Sequence, residues 1–166
     1  MPEEILEIDR LRTLVGKKVG ISPWFTVTQD QFDRFAEVTH DMSPMHVDPE
    51  WCKKYSPYQQ TISFGFLTIS LLTHLYQLVV PHHSERSGTG FPLNYGFDRL
   101  RLIAPIKVNT RIRAHFTLLY LRDRAPGEFI LKTLSEVEIE GQDKPAMVAE
   151  WLTMWVNNSG KADTPK

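Results

Sequence analysis

Asp41 and His46 lie five residues apart in the run Thr39-His40-Asp41-Met42-Ser43-Pro44-Met45-His46-Val47-Asp48. A carboxylate and an imidazole brought to one point can position a water molecule and exchange protons with it, which is general acid–base chemistry. Pro44 stands between them. Its ring fixes φ and removes an N–H, and it drives Ser43 toward an extended conformation. The run is therefore expected to turn rather than continue as regular helix, and a turn can aim both side chains at one spot. The same residues also spell ordinary turn chemistry. Spacing alone leaves a catalytic and a structural reading open.

The elements that must hold this turn can be read on either side of it. Trp24, Phe25 and Val27 predict a short strand. Thr28-Gln29-Asp30-Gln31 matches a capping box, and Phe32, Phe35 and Ala36 follow at helical spacing, so a helix should end near Thr39. Asp48-Pro49 supplies a cap and a first helical position for a short helix carrying Trp51 and Cys52. Gly65 opens a third helix over roughly 66–80. There Phe66, Leu67, Ile69, Leu71, Leu72, Leu75, Leu78 and Val79 cover most of the circumference, which predicts burial on nearly all sides. Pro81 should end it, and the Gly/Pro/Ser/His-rich stretch 81–93 reads as a loop.

The pattern then changes to a period of two. Ile106, Val108, Thr110, Ile112, Ala114, Phe116, Leu118 and Tyr120 alternate with Lys107, Asn109, Arg111, Arg113 and His115, predicting a long strand with one dry face. Phe129, Leu131, Thr133, Val137 and Ile139 predict a second. A third, over 146–156, is apolar on both faces, which suits a central strand or a subunit contact. Another strand is expected around 96–103, with hairpin loops at 122–127 and 141–145. Long antiparallel strands with one apolar face, and one apolar helix needing cover, fit best as a curved sheet wrapped around that helix, an α+β arrangement.

The chain has 166 residues, 42% hydrophobic and 23% charged, with a formal net charge of −1. That is the profile of one soluble globular domain spanning 1–166, with a polar C-terminal tail. The near-neutral charge makes no case for nucleic acid or an anionic membrane. Cys52 is the only cysteine, so an internal disulfide and a multi-cysteine metal site are excluded. The apolar stretch 62–80 carries Ser63, Thr68, Ser70, Thr73, His74 and Gln77, too polar for membrane insertion. The acidic N-terminus lacks the layout of a secretory signal, so a cytoplasmic location is expected.

Phe35-Ala36 followed by the 39–48 run resembles the active-site segment of the MaoC-like (R)-specific enoyl-CoA hydratases, Ser-Gly-Asp-x-Asn-Pro-x-His-x-Asp. Ile62-Ser63-Phe64-Gly65-Phe66-Leu67 resembles that family's next element, Ile-Ala-His-Gly-Met-Leu. The segment 95–106 resembles its later strand entry, Gly-x-x-x-x-Arg-Phe-x-x-Pro-Val. The elements occur in the family's order and span roughly 22–157. The resemblance implies a hot-dog fold, pairing as a homodimer, and water chemistry at the α,β-double bond of a substrate on coenzyme A or acyl-carrier protein. It places the catalytic pair on Asp41 and His46 and the oxyanion-hole glycine on Gly65. Four departures stand out. Ser43 replaces Asn, His40 replaces Gly, Phe64 replaces His, and Asn109-Thr110 replaces Gly-Asp.

Such hydration needs a base for the water proton, an acid for the α-carbon, and a donor for the enolate-like oxygen. Asp41 and His46 can supply the first two. Gly65, at a helix start, has an amide unpaired within the helix and no Cβ to block approach. Ser43, Phe64, Phe66 and Thr73 are candidate substrate contacts, and Arg101 a candidate for the carrier's phosphates. No metal or redox cofactor is expected, and His82-His83 has no accompanying ligand cluster. His74 reads best as a core or interface histidine. Two other activities fit the same fold: acyl-CoA thioesterase, and a non-catalytic acyl-thioester-binding subunit.

Overall fold

The computed structural model describes residues 3–80 and 90–157. The expected turn-rich stretch around His82 and His83, and the polar tail, therefore lie largely outside the described residues. Among the described residues, six strands form one antiparallel sheet. They are β1 (Lys18–Ile21), β2 (Phe25–Val27), β3 (Gly90–Leu102), β4 (Thr110–Ala125), β5 (Glu128–Ile139) and β6 (Met147–Asn157). The order across the sheet is β1-β4-β5-β6-β3, with β2 also pairing β4. The helices are α1 (Glu3–Thr13), α2 (Gln29–Thr39), α3 (Pro44–Val47), α4 (Pro49–Tyr55) and α5 (Gly65–Gln77).

Register explains the dry face. Ile112 pairs with Ile139, Ala114 with Val137 and Phe116 with Ser135, while Ser135 pairs with Ala149 and Val137 with Met147. Paired residues share a face of the sheet, so these side chains form one concave surface. Leu72, Leu75 and Tyr76 of α5 pack into it. The Tyr76 ring meets Phe116 and Trp151 edge-on, at 5.1 and 5.6 Å. This is the expected sheet wrapped on a helix. As its two apolar faces suggested, β6 lies inside the sheet, between β5 and β3.

Several expectations need correction. The first is the depth of α5. Only Leu67, Thr68, Leu72, Leu75 and Tyr76 are buried, whereas Phe66 is 77% exposed. One sheet covers one side of a cylinder, so an apolar circumference is not buried by this chain alone.

The strand ends also move. The strand expected around 96–103 begins at Gly90 and takes in part of the expected loop. Pro92 disguised it, but β3 is an edge strand, where a missing N–H is tolerated. The strand expected from Ile106 begins at Thr110, because Asn109 has φ 60° and breaks the extended run. At its far end β4 continues to Ala125 through Arg122, Asp123 and Arg124. All three are exposed, so no apolar alternation marked them. Helix α1 had no sequence expectation at all. Its Ile8 and Leu11 cover Leu118, Leu131 and Trp155 at the other end of the concave face.

Candidate active site

The site is built where α2 ends and two short helices begin. The Gln31 side-chain oxygen accepts the Thr28 N–H at 2.8 Å, the back-bond of the expected capping box. Helix α2 stops at Thr39, and His40 takes the left-handed conformation at φ 58°. Glycine adopts that conformation freely and a Cβ penalises it. This accounts for the glycine of the resembled pattern. Asn109 takes φ 60° at the other position where that pattern has glycine, and Asn tolerates this region better than most residues.

Ser43 is extended, at φ −58° and ψ 126°, as the following proline requires. The turn itself differs in detail from the expectation. Pro44–Val47 is one helical turn, with Pro44 at its start, where no N–H is needed. Asp48 then caps α4, its Oδ1 accepting the Trp51 N–H at 2.9 Å.

Ser43 joins the two chemically capable residues. Its N–H donates to Asp41 Oδ1 at 3.3 Å, and its carbonyl accepts the His46 N–H at 2.9 Å. Asp41 is exposed and His46 is 9% exposed. The His46 Nδ1 lies 2.7 Å from the Ile62 carbonyl oxygen. A carbonyl only accepts, so Nδ1 carries the proton, and a neutral His46 must present its lone pair at Nε2. Among the described residues, the Ser135 hydroxyl is the only sealed side-chain polar atom lacking a partner. The unpartnered Nε2 therefore retains contact with solvent.

The His46 ring packs on Phe64, with centroids 3.8 Å apart, and Phe64 packs on Phe35 at 5.1 Å. Phe64 immediately precedes Gly65, the first residue of α5. The Gly65 amide has no partner inside its helix and sits at the positive end of the helix dipole. A Cβ built on Gly65 would lie 2.5 Å from Leu102 Cδ1. Leu102, itself exposed, thus leans over the helix mouth.

A model of the MaoC like domain matches residues 10–137. The chain belongs to the MaoC-like domain family. Two relatives are similar over most of their length. Nodulation protein N of Rhizobium leguminosarum bv. viciae is 38% identical over 140 residues, 84% of this chain and 85% of that protein. The 3-hydroxyacyl-thioester dehydratase Z of Mycobacterium tuberculosis is 36% identical over 146 residues, 88% of this chain and 93% of that protein. Among solved structures, an (R)-hydratase from A. caviae involved in PHA biosynthesis superposes with a TM-score of 0.66. It is 21% identical and covers 84% of this chain and 94% of that one, a likeness in fold.

Of the candidate residues, the MaoC-like fold gathers Asp41, Ser43, His46, Phe64 and Gly65 into one neighbourhood. Phe66 is beside them and open. Thr73 does not join them. It is half-buried on α5, eight residues past Gly65 and so about 12 Å along the axis. Arg101 lies on the other side of the sheet. It pairs with Val148, whose neighbours Met147 and Ala149 face the core, and its guanidinium donates to the Leu100 carbonyl at 2.8 Å. No helix among the described residues is long and apolar enough to cross a membrane.

Two contributors escaped sequence reasoning. Gln29 Nε2 donates to the His46 carbonyl at 2.8 Å, and Thr61 Oγ1 donates to Gln29 Oε1 at 2.5 Å. Gln29 reads as an ordinary first-turn helix residue. Its partners lie 17 and 32 positions away, beyond any local pattern.

Proposed function

We propose that this MaoC-like protein is a hydro-lyase that adds or removes water across the 2,3-double bond of an acyl thioester with (R) stereochemistry. One observation carries the reading. The His46 tautomer is set by the Ile62 carbonyl, which leaves a basic Nε2 on an apolar ring stack next to a helix-mouth glycine. In the hydration direction Nε2 takes a proton from the water as its oxygen bonds to C3. Asp41, on the same turn, orients that water and relays the proton from Nε2 to C2, so that both side chains end the step as they began it. The charge gathers on the thioester oxygen, and the Gly65 amide stabilises it. One oxyanion donor of this kind is worth about 10²–10³ in rate. The Mycobacterium tuberculosis relative is named for the same class of substrate.

Helix α5 and strand β3 support a homodimer. Among the described residues β3 is paired on one side only, to β6. Phe91, Leu93, Tyr95 and Phe97 along it are exposed, as is Phe66 on α5. A long apolar strand edge left open is a template for a second chain.

The test is hydration of crotonyl-CoA, longer enoyl-CoAs and their acyl-carrier counterparts, followed by loss of the enoyl absorbance. Asp41→Asn and His46→Ala should each lower turnover at least about a hundredfold. Wild-type turnover in either variant rejects the assignment. Thiol release without hydration would reassign the protein as a thioesterase. Light scattering after size exclusion should give twice the chain mass.

A further inference from the structure

We infer that Gln29 is a positioning residue for His46, a single amide that sets where the imidazole stands. This rests on the hydratase reading for its kinetic consequence, though not for its geometry. The His46 ring is anchored at Nδ1 by the Ile62 carbonyl. That anchor works only if two separate segments, 44–47 and 61–62, keep their spacing. Two hydrogen bonds lie between them, the backbone bond from the Ile62 N–H to the Met45 carbonyl at 3.2 Å and the ring bond itself.

Gln29 braces the pair from a third element, the start of α2. Its amide is fully assigned by its surroundings. Nε2 meets two groups that only accept, the His46 carbonyl and Asp33 Oδ1, both at 2.8 Å. Oε1 must then accept the hydroxyl of Thr61, which is 1% exposed. One side chain thus holds the backbone of His46 and the residue beside Ile62 at once. Thr61 is tied in turn to the sheet side, since its carbonyl accepts the Val108 N–H at 3.0 Å. With Gln29 removed, the spacing of the Nδ1 anchor rests on the Ile62–Met45 backbone bond and the Phe64 stack alone. A base displaced by about 1 Å can lose about 10² in rate, with little effect on binding of the acyl chain.

Gln29→Met keeps the length and removes all three bonds. The double variant Gln29→Met/Thr61→Val also removes the stranded Thr61 hydroxyl, and should recover thermal stability. Turnover, KM, the melting temperature and the proton–nitrogen correlations of the histidine rings are measured on the full chain. For Gln29→Met we expect kcat to fall about 10- to 100-fold, KM to stay within about threefold, and the His46 ring to change from one tautomer to a mixture. In the double variant Tm should recover while kcat stays low. If kcat recovers together with Tm, or if the His46 ring pattern is unchanged in Gln29→Met, the positioning role is wrong. Should wild-type protein hydrate no enoyl thioester, the functional reading fails by itself, and the ring spectra alone decide the role of Gln29.

Discussion

Two histidines in this chain are held in opposite tautomers. His46 gives its Nδ1 proton to a backbone carbonyl and keeps a lone pair on an unpartnered Nε2. His115 is on the outer face of β4. There Lys18 Nζ approaches Nδ1 at 3.2 Å, and Nε2 lies 2.7 Å from Glu138 Oε2. An ammonium only donates, so the His115 proton sits at Nε2 and is committed to the carboxylate. Arg113 grips the same carboxylate from Nε at 2.7 Å and lies 4.4 Å over the Trp24 ring. His115 therefore has no nitrogen to spare, whereas His46 has one. Having an imidazole does not make a base. The partners decide whether a lone pair is left to act.

The largest expected effect separates the two. His46→Gln should lower enoyl-thioester hydration by about a hundredfold or more, while His115→Gln should change it by less than about twofold. Equal losses in steady-state assays would erase the contrast. Next comes the helix mouth. Gly65→Ala drives a methyl into Leu102 and crowds the amide, so turnover should fall about tenfold. Leu102→Ala in the same chain should restore part of it. No restoration would mean that steric crowding there is not the cause.

The outer network should show itself in stability. Hydrogen bonds from Arg113 and then His115 hold the Glu138 carboxyl below the usual glutamate range. Arg111 does the same for Glu140. Both carboxyls titrate lower in the folded than in the unfolded chain. Their stabilisation is therefore complete above the ordinary glutamate range and is lost as pH falls through it toward the depressed folded values. Thermal melts from pH 7 down to about 3 should show a shallower acid limb for Glu138→Gln than for wild type. Parallel limbs would leave this network without a measurable contribution. The smallest effect is expected at His40. His40→Gly relieves the left-handed strain at φ 58° and should add about 0.5 kcal/mol in chemical denaturation. A loss of stability would show that the His40 side chain makes a favourable contact outweighing that strain.

Local chemistry was the most legible part. The capping box at Thr28, the cap at Asp48, the extended Ser43 and the alternation of Ile112, Ala114, Phe116 and Leu118 each depend on neighbours within a few residues. All of them appear where the spacing put them. Strand ends were read less well. Pro92 hid the start of β3, Asn109 cut β4 short, and Arg122–Arg124 extended it without an apolar signal. Sheet position decided the first and the last, and the left-handed backbone of Asn109 decided the second. The neighbourhood of Asp41, Ser43 and His46 was legible because it is a single turn. The Ile62 anchor and the Gln29 brace were not, since each joins segments far apart in sequence.

The order of residues alone was enough to place a carboxylate and an imidazole on one proline-bent turn, and to require a sheet around an apolar helix. Proline stereochemistry and periodicity act locally and need no partner. Only the folded chain decided which imidazole keeps a free nitrogen, that Arg101 stands on the far face, and that one side of α5 stays open. Those outcomes depend on hydrogen bonds and burial between distant segments, which exist only once the sheet has closed around the helix.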